Sequence, residues 1–418
     1  MKITSKRTSN DIDLVEPTQF RVLPNRKAKE PPPEPWPLPA FNPFHINDFD
    51  AHGKPNLPPD VEQSNPFAIF NQFFTDEIME QLAEWTNKYA EQQREDQELL
   101  PLARLWQPTC KEELYGYLGV LIHMGLTYKS AIEDYWGSLD TTGYKHIVKK
   151  YISKNRFQQL NRYFRCIKLW QEDNQQGDNP TPRSTFNRVA TLAKYIRLAC
   201  RRLYTPGTHL AVNETIERFM GRAPEIVNIP TKPTPEGFKI WVLANEGYIL
   251  DWLWHARGNN GGPVNLDKYY TKEEGFSKTQ AVVLDLLTQR DTETNKPLYP
   301  PGKHVIWLDN LFTSVKLLIR LRKLGIGGAG TVRTTRTERE RKGGGKGDIL
   351  NKTAGSKRKI KVPAEQIDER LVNLKLTHAA QIEWGTLYGA TSKDGQVMEF
   401  AWKDANVVLF MSTVDNGK

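Results

Sequence analysis

A change of hydrophobic period at Pro206-Gly207 divides the chain into two kinds of polypeptide. Upstream, apolar residues recur at helical spacing. Thr75-Asp76-Glu77 stands before Ile78, Met79, Leu82 and Trp85, an N-cap followed by a helical face. The stretch 112–124 carries Leu114, Tyr117, Leu118, Leu121 and Ile122 on one face. The stretch 155–167 carries Phe157, Leu160, Phe164 and Ile167, and 186–203 carries Val189, Leu192, Ile196 and Leu203. These stripes predict helix packing, with a loop over 171–183. Downstream, short apolar runs alternate with turns: His209–Val212, Lys239–Ala244, Tyr248–Trp254 and His304–Leu308 read as strands. Gln280–Thr288 and Ser314–Leu324 read as helices, and that order of strands and helices implies an α/β core.

The first 62 residues lack this patterning and are proline-rich, as in Pro31-Pro32-Pro33-Glu34-Pro35, so a disordered or polyproline-like segment is expected there. The remainder has enough apolar material to bury a core, with 38% hydrophobic residues and 11 Trp. Nothing behind the N-terminal methionine resembles an apolar leader, and no run of about eighteen apolar residues is present to span a membrane. Cys110, Cys166 and Cys200 are odd in number and form no Cys-x-x-Cys pair, so reduced, buried thiols are expected rather than a zinc knuckle or a disulfide framework.

The net charge of +9 favours polyanionic partners as a matter of steering, not of fold. Its source is local. Residues 332–361 hold eleven Lys and Arg against three acids, and include Arg333, Arg336, Arg339, Arg341 and Lys342 around a triple glycine. Such a loop tracks phosphates without a fold of its own. The same residues serve equally as a solvated loop or a nuclear localisation signal.

One local pattern points to chemistry. An apolar strand, Val305-Ile306-Trp307-Leu308, ends in Asp309-Asn310, and Phe312-Thr313-Ser314 then opens a helix. That places a carboxylate at the carboxyl edge of a sheet, where α/β sites are built, although an acid there also serves as a plain helix cap. Upstream stand Val212-Asn213-Glu214, Phe219-Met220-Gly221-Arg222, Lys232-Pro233, Gly237, Lys239, Trp241 and Gly247-Tyr248. Downstream stands Gly330-Thr331-Val332-Arg333. Taken in order with Phe73-Phe74-Thr75, Asp134-Tyr135-Trp136 and Arg156-Phe157, these strings resemble the piggyBac transposase family over roughly residues 65–415.

The resemblance implies an RNase H-like catalytic core, preceded by a mainly helical dimerisation and DNA-binding domain and interrupted by an insertion. On that template the chain divides into a disordered segment to 62, a helical domain over 63–206, a core over 207–332, an insertion over 333–402 and a final core strand over 403–418. The implied chemistry is in-line phosphoryl transfer by acids holding two divalent ions, ordinarily Mg²⁺. By position the first acid falls on Asn213, in an Asn213-Glu214 pair where the family has Asp-Glu. The second falls on Asp309, with Leu311 where the family usually has Phe. The third is expected in a Gly-Gly-Val-Asp helix beyond Ser412-Thr413, and no such string stands before Lys418. The Cys-rich zinc domain of many relatives likewise has no counterpart in the sequence.

Asn213 supplies an oxygen but no charge, and Glu214, its neighbour on the strand, is expected to face away from Asp309. Asp404 precedes Val407–Phe410 and reads as a turn residue at the wrong end of that strand. Arg222, Lys232, Lys239 and Arg333 are candidate phosphate contacts, each equally readable as a surface charge or ion pair. Trp241, Trp252 and Trp254 alternate in apparent strands and read as core rather than as base-stacking platforms. The expectation is a nuclear DNA-binding relative of the transposases, a possible homodimer without cut-and-paste activity. An active metal-dependent nuclease and a decayed fragment are the rival readings.

Overall fold

The computed structural model describes residues 30–47, 49–95, 106–137, 147–168, 185–255, 266, 274–333 and 367–417. The helical periods of the first half become α1 (Pro66–Phe70), α2 (Asp76–Glu95), α3 (Lys111–Leu126), α4 (Lys154–Tyr163) and α5 (Ala190–Arg202). Local chemistry sets their starts. Asn65 caps α1 by accepting from the amides of Phe67 and Ala68, with Pro66 just inside, and Ser153 caps α4 by accepting from the Arg156 amide. Ile78, Met79, Leu82 and Trp85 of α2 close on Leu114, Tyr117 and Val120 of α3 and on Phe157, Leu160 and Tyr163 of α4 in one apolar cluster. Arg156 locks α3 to α4, donating to both oxygens of Glu113 (2.6 and 2.7 Å) and stacking 4.4 Å over Trp106. The expected face of α3 is only partly right. Leu121 and Ile122 are exposed, and the buried stripe is Leu114, Tyr117 and Val120.

The second half forms β3 (His209–Arg218), β4 (Ile226–Asn228), β5 (Glu236–Asn245), β6 (Tyr248–Trp254), α6 (Lys278–Leu287), β7 (Val305–Leu308), α7 (Val315–Lys323), β8 (Gly327–Thr331), α8 (Glu369–Asn373), β9 (Leu387–Thr391), β10 (Met398–Lys403) and β11 (Val407–Ser412). The strands make one nine-stranded sheet in the order β4-β5-β3-β7-β8-β11-β10-β9, with β6 also on β5. Only β3, β7 and β8 run parallel, and the flanking strands pair antiparallel. Helix α6 is buried from Ala281 to Leu287, Asp285 included, and with Leu317, Leu318 and Leu321 of α7 it covers one face of the sheet. The two caps are joined: Ser277 and Ser314 start α6 and α7, and Gln280 of the first cap donates to the Ser314 hydroxyl at 2.6 Å.

Three boundaries differ from expectation. The described residues between 30 and 62 are not disordered, while 1–29 and 48 lie outside the described residues. The proline-rich run is a strap across the end of the sheet where β7 and β8 begin. Trp36 donates to the Gly389 carbonyl and packs on Tyr388, and Phe44 and Asn47 donate to Thr413 and Gly302. Asp50 donates to Thr208, and Lys54–Pro55 (β1) pairs with Tyr204–Thr205 (β2). Extended proline-rich chain has no internal ladder, so its fixed shape is held by anchoring to a surface. The described part of the expected insertion is no separate unit: β9 and β10 extend the core sheet, and the division at 402/403 would cut β10.

The division at Pro206 is also too sharp. Asp251 of β6, fully buried, is held by Arg197 and Arg201 of α5, so α5 is bolted to the sheet. Of the cysteines, Cys200 is buried, Cys166 half-buried and Cys110 exposed, and all three are free. Among the described residues no helix is long and apolar enough to cross a membrane.

Glu399 of β10 is buried beneath the start of α8. One of its oxygens accepts from the Asp368 amide at 2.7 Å, and the other has no hydrogen-bond partner among the described residues. Burial pushes this carboxyl from its ordinary 4.5 up to about 7; the Asp368 amide pulls it down, and the Asp368 carboxylate adds a smaller upward push. The folded chain therefore holds a proton that the unfolded chain releases between those two values, so this residue's contribution falls as pH rises through them. Urea unfolding of Glu399→Gln against wild type should show the variant losing that decline, a difference of roughly 2–3 kcal/mol between pH 4.5 and 7.

Candidate functional site

The parallel pairing of β3 with β7 runs from His209–Val305 to Val212–Leu308. Asn213, midway along β3, and Asp309, just past the end of β7, each stand one residue beyond the last pair and line one hollow of about 350 Å³ with Ala211, Trp307, Thr331 and Phe410. Both side chains are exposed. Each is turned back on its own backbone: Asn213 accepts from the Glu214 amide at 2.8 Å and Asp309 from the Asn310 amide at 2.6 Å.

The turn after β7 is tightly specified. The Asp309 carbonyl accepts from the amides of Phe312 (3.0 Å) and Thr313 (3.2 Å) and from the Thr313 hydroxyl (3.0 Å). Phe312 is buried edge-on against Trp241. Gly330 of β8 lets this turn close, since a Cβ there would run into the Leu308 carbonyl and the Thr313 hydroxyl. Arg333, just past β8 and exposed, donates to the Asn310 side chain at 2.5 Å, which sets a guanidinium beside the site.

Glu214 lies on the opposite face, as strand alternation requires. It is nearly buried, pairs with Lys232 at 3.2 Å, and leaves one oxygen without a hydrogen-bond partner among the described residues. Lys239 joins this second cluster and is not the free surface cation that a phosphate contact requires. It is buried, with its ammonium 4.0 Å over the Trp241 ring. Burial pushes its ammonium down and Lys232 adds to that, against the pull of Glu214. Of the two readings the sequence left open for Lys232, phosphate contact or ion pair, the structure shows an ion pair with Glu214.

Arg222 is exposed in the loop between β3 and β4, while Arg336, Arg339, Arg341 and Lys342 lie outside the described residues. Trp241 is core, as expected. Asp404 sits in the β10–β11 turn, as read, but β11 runs antiparallel to β8, so that turn is at the same end of the sheet as Asp309. Among the described residues no three His, Cys, Asp or Glu side chains come together as a metal-holding group. The sequence reading missed Trp307 as a site residue, although its place two before Asp309 on a strand puts both on one face.

A family model described as Transposase IS4 matches residues 65–418. The chain belongs to the piggyBac-type transposase family. Human PiggyBac transposable element-derived protein 2 is 25% identical over 282 residues, 66% of this chain and 41% of that protein. Human PiggyBac transposable element-derived protein 3 is 24% identical over 291 residues, 69% of this chain and 43% of that protein. The chain thus spans less than half the length of these relatives. A cryo-EM structure of the piggyBac transposase synaptic complex with hairpin DNA has a similar mixed α/β fold, with a TM-score of 0.58 and 22% identity over 86% of this chain and 63% of that one. In this piggyBac-type chain the matched span begins at the cap of α1 and takes in the whole large sheet.

The close approach at Gly330 gives a direct check on the turn that carries Asp309. Gly330→Ala should cost about 1–3 kcal/mol in thermal or urea unfolding. Gly116→Ala, in an open stretch of α3 with no atom within 4 Å of the added methyl, should stabilise by up to about 1 kcal/mol.

Proposed function

We propose that this chain is a transposase-derived DNA-binding protein that does not cut DNA. The observation carrying this reading is the pair just beyond the last β3–β7 partners, an amide and a carboxylate lining one hollow. The order β6-β5-β3-β7-β8, with α6 and α7 as crossovers, supports an RNase H-like core. In such a core Asn213 takes the place of the first acid and Asp309 that of the second. The family resemblance implies Mg²⁺, but these donors do not fit a two-ion centre. They offer one negative charge and one neutral oxygen, both on exposed side chains, and little there offsets the dehydration of a small, hard cation. Glu214 is no substitute, since it is engaged with Lys232 on the far face.

DNA binding draws support from the net charge of +9, from exposed Arg222 and Arg333, and from the basic run that begins at Arg333 beside the site. The same run supports entry to the nucleus. A homodimer through the helical half draws support from the apolar ridge of α3 and its C-terminal end, where Leu126 and Tyr128 are 83% and 82% exposed.

The test is a pair of assays on the purified chain. Duplex affinity should fall steeply as salt rises, because phosphate contacts release counterions. Supercoiled plasmid should stay intact in Mg²⁺ or Mn²⁺. Salt-independent binding would remove the phosphate-tracking role, and metal-dependent nicking abolished by Asp309→Ala would establish the nuclease reading instead.

A further inference from the structure

The first turn of α8 rests on a buried carboxyl. Glu399 of β10 is 1% exposed, and one of its oxygens accepts from the Asp368 amide at 2.7 Å. The other is buried without a hydrogen-bond partner, and no cation among the described residues pairs with it. Asp368 caps α8 by accepting from the Arg370 amide at 2.8 Å, and its carboxylate is forked by the Arg370 guanidinium at 2.8 to 3.2 Å. Arg370 in turn lies 5.0 Å over the Trp36 ring of the strap. Trp36 donates to the Gly389 carbonyl and packs on Tyr388, whose hydroxyl donates to the Pro33 carbonyl at 2.9 Å. Tyr388 is the cross-strand partner of Ala401, two residues from Glu399, so the ring and the carboxyl share one face of the sheet. A continuous line of polar and ring contacts therefore runs from Glu399 through the cap of α8 to the strap.

We propose that Glu399, Asp368, Arg370 and Trp36 form a proton-controlled latch tying α8 and the strap to the sheet, shut while Glu399 is protonated and loosened when it ionises. The neighbouring elements decide this. Around Glu399 the titratable groups are Asp368, Glu369 and Arg370 of α8, Lys375 and His378 of the π-helical turn Leu374–His378, and Tyr388 of β9, while β11 brings only Leu409 and Met411. Lys403, on the same strand, reaches for the Ala405 carbonyl. The charge that acts on Glu399 is the Asp368 carboxylate. Burial works against that charge, but the Arg370 side chain and amide hold the Asp368 carboxyl below its ordinary value. A protonated Glu399 thus adds no second charge, whereas an ionised one is buried beside a carboxylate with no cation of its own, an arrangement that favours opening. In the shut latch burial holds the Glu399 carboxyl up at about 7, against the pull of the Asp368 amide and with a smaller push from the Asp368 carboxylate. Once α8 lifts and water reaches the group, it returns toward its ordinary 4.5. Opening is therefore coupled to proton release: it grows easier as pH rises from 4.5 to about 7 and levels off above. Displacement of Asp368 also takes the partner from Arg370, and with it the hold on Trp36. The latch goes beyond the DNA-binding reading and does not depend on it.

Amide exchange of the full chain, corrected for its intrinsic pH dependence, reads the latch at the Leu371 and Val372 amides, which donate to the Asp368 carbonyl. Their protection should fall roughly fiftyfold between pH 5 and 7.5 in the wild type and stay level in Glu399→Gln. The amides of α6 should keep their protection over the same range, which separates local release from general unfolding. A second readout comes from 5-fluorotryptophan, with the Trp36 line assigned by its loss in Trp36→Phe. That line should move with the same midpoint in the wild type and stay fixed in Glu399→Gln. Level protection at Leu371 and Val372 in the wild type overturns the inference, and that arm needs no variant to fold. An equal fall in folded Glu399→Gln, a parallel fall in α6, or a Trp36 line that stays fixed while α8 opens overturns it as well.

Discussion

The geometry of the site depends on the parallel pairing of β3 with β7. Four paired positions end at Val212 and Leu308, and the next residue on each strand is the one that matters chemically. Because strand side chains alternate, Asn213 and Asp309 share a face with Ala211 and Trp307, and Glu214 is sent to the other. The pairing is made rigid from behind by α6 and α7, whose linked caps fix the turn from Asp309 to Ser314. Gly330 on the next strand clears the space in which that turn closes.

Two further ties keep this frame in one piece. The strap clamps the opposite end of the sheet, from Gly389 at one edge to the β5–β6 turn at the other. There Glu246 adopts the uncommon positive φ of 48° and grips His52 and the Gly53 amide. Asp251 bolts α5 to β6 through two arginines. A buried carboxylate with two guanidinium partners is costly to break from either side, since each loss leaves a buried charge uncompensated. The two halves that the sequence period separates are therefore mechanically joined at α5, and Asn213 and Asp309 sit on a scaffold braced from both ends.

Much of this was legible in the sequence because local signals and tertiary packing agree. The strand-to-turn-to-helix run at Val305–Ser314 needs an apolar strand, an acid and a capping serine, and all three are written in order. The facing of Glu214 away from Asp309 followed from alternation alone. Other features were hidden for physical reasons. The strap carries no periodicity, because it packs by scattered anchors such as Trp36 and Phe44 rather than by a face. Strand β8 is Gly-Gly-Ala-Gly-Thr, a composition that propensity assigns to a loop; it is a strand because Leu318, Leu321 and the Asp309 turn leave no room for larger side chains. Lys239 looked like a surface cation because charge in a strand says nothing of the ring beneath it.

The central claim is that one charge is missing where the β3–β7 pairing ends, and metal affinity reads that most directly. Mn²⁺ titration followed by electron paramagnetic resonance would compare the wild-type chain with Asn213→Asp. The account predicts only weak, non-saturating uptake by the wild type at millimolar metal, and tighter, saturable binding once the second carboxylate is restored. Tight Mn²⁺ binding by the wild type that Asp309→Ala removes would contradict it.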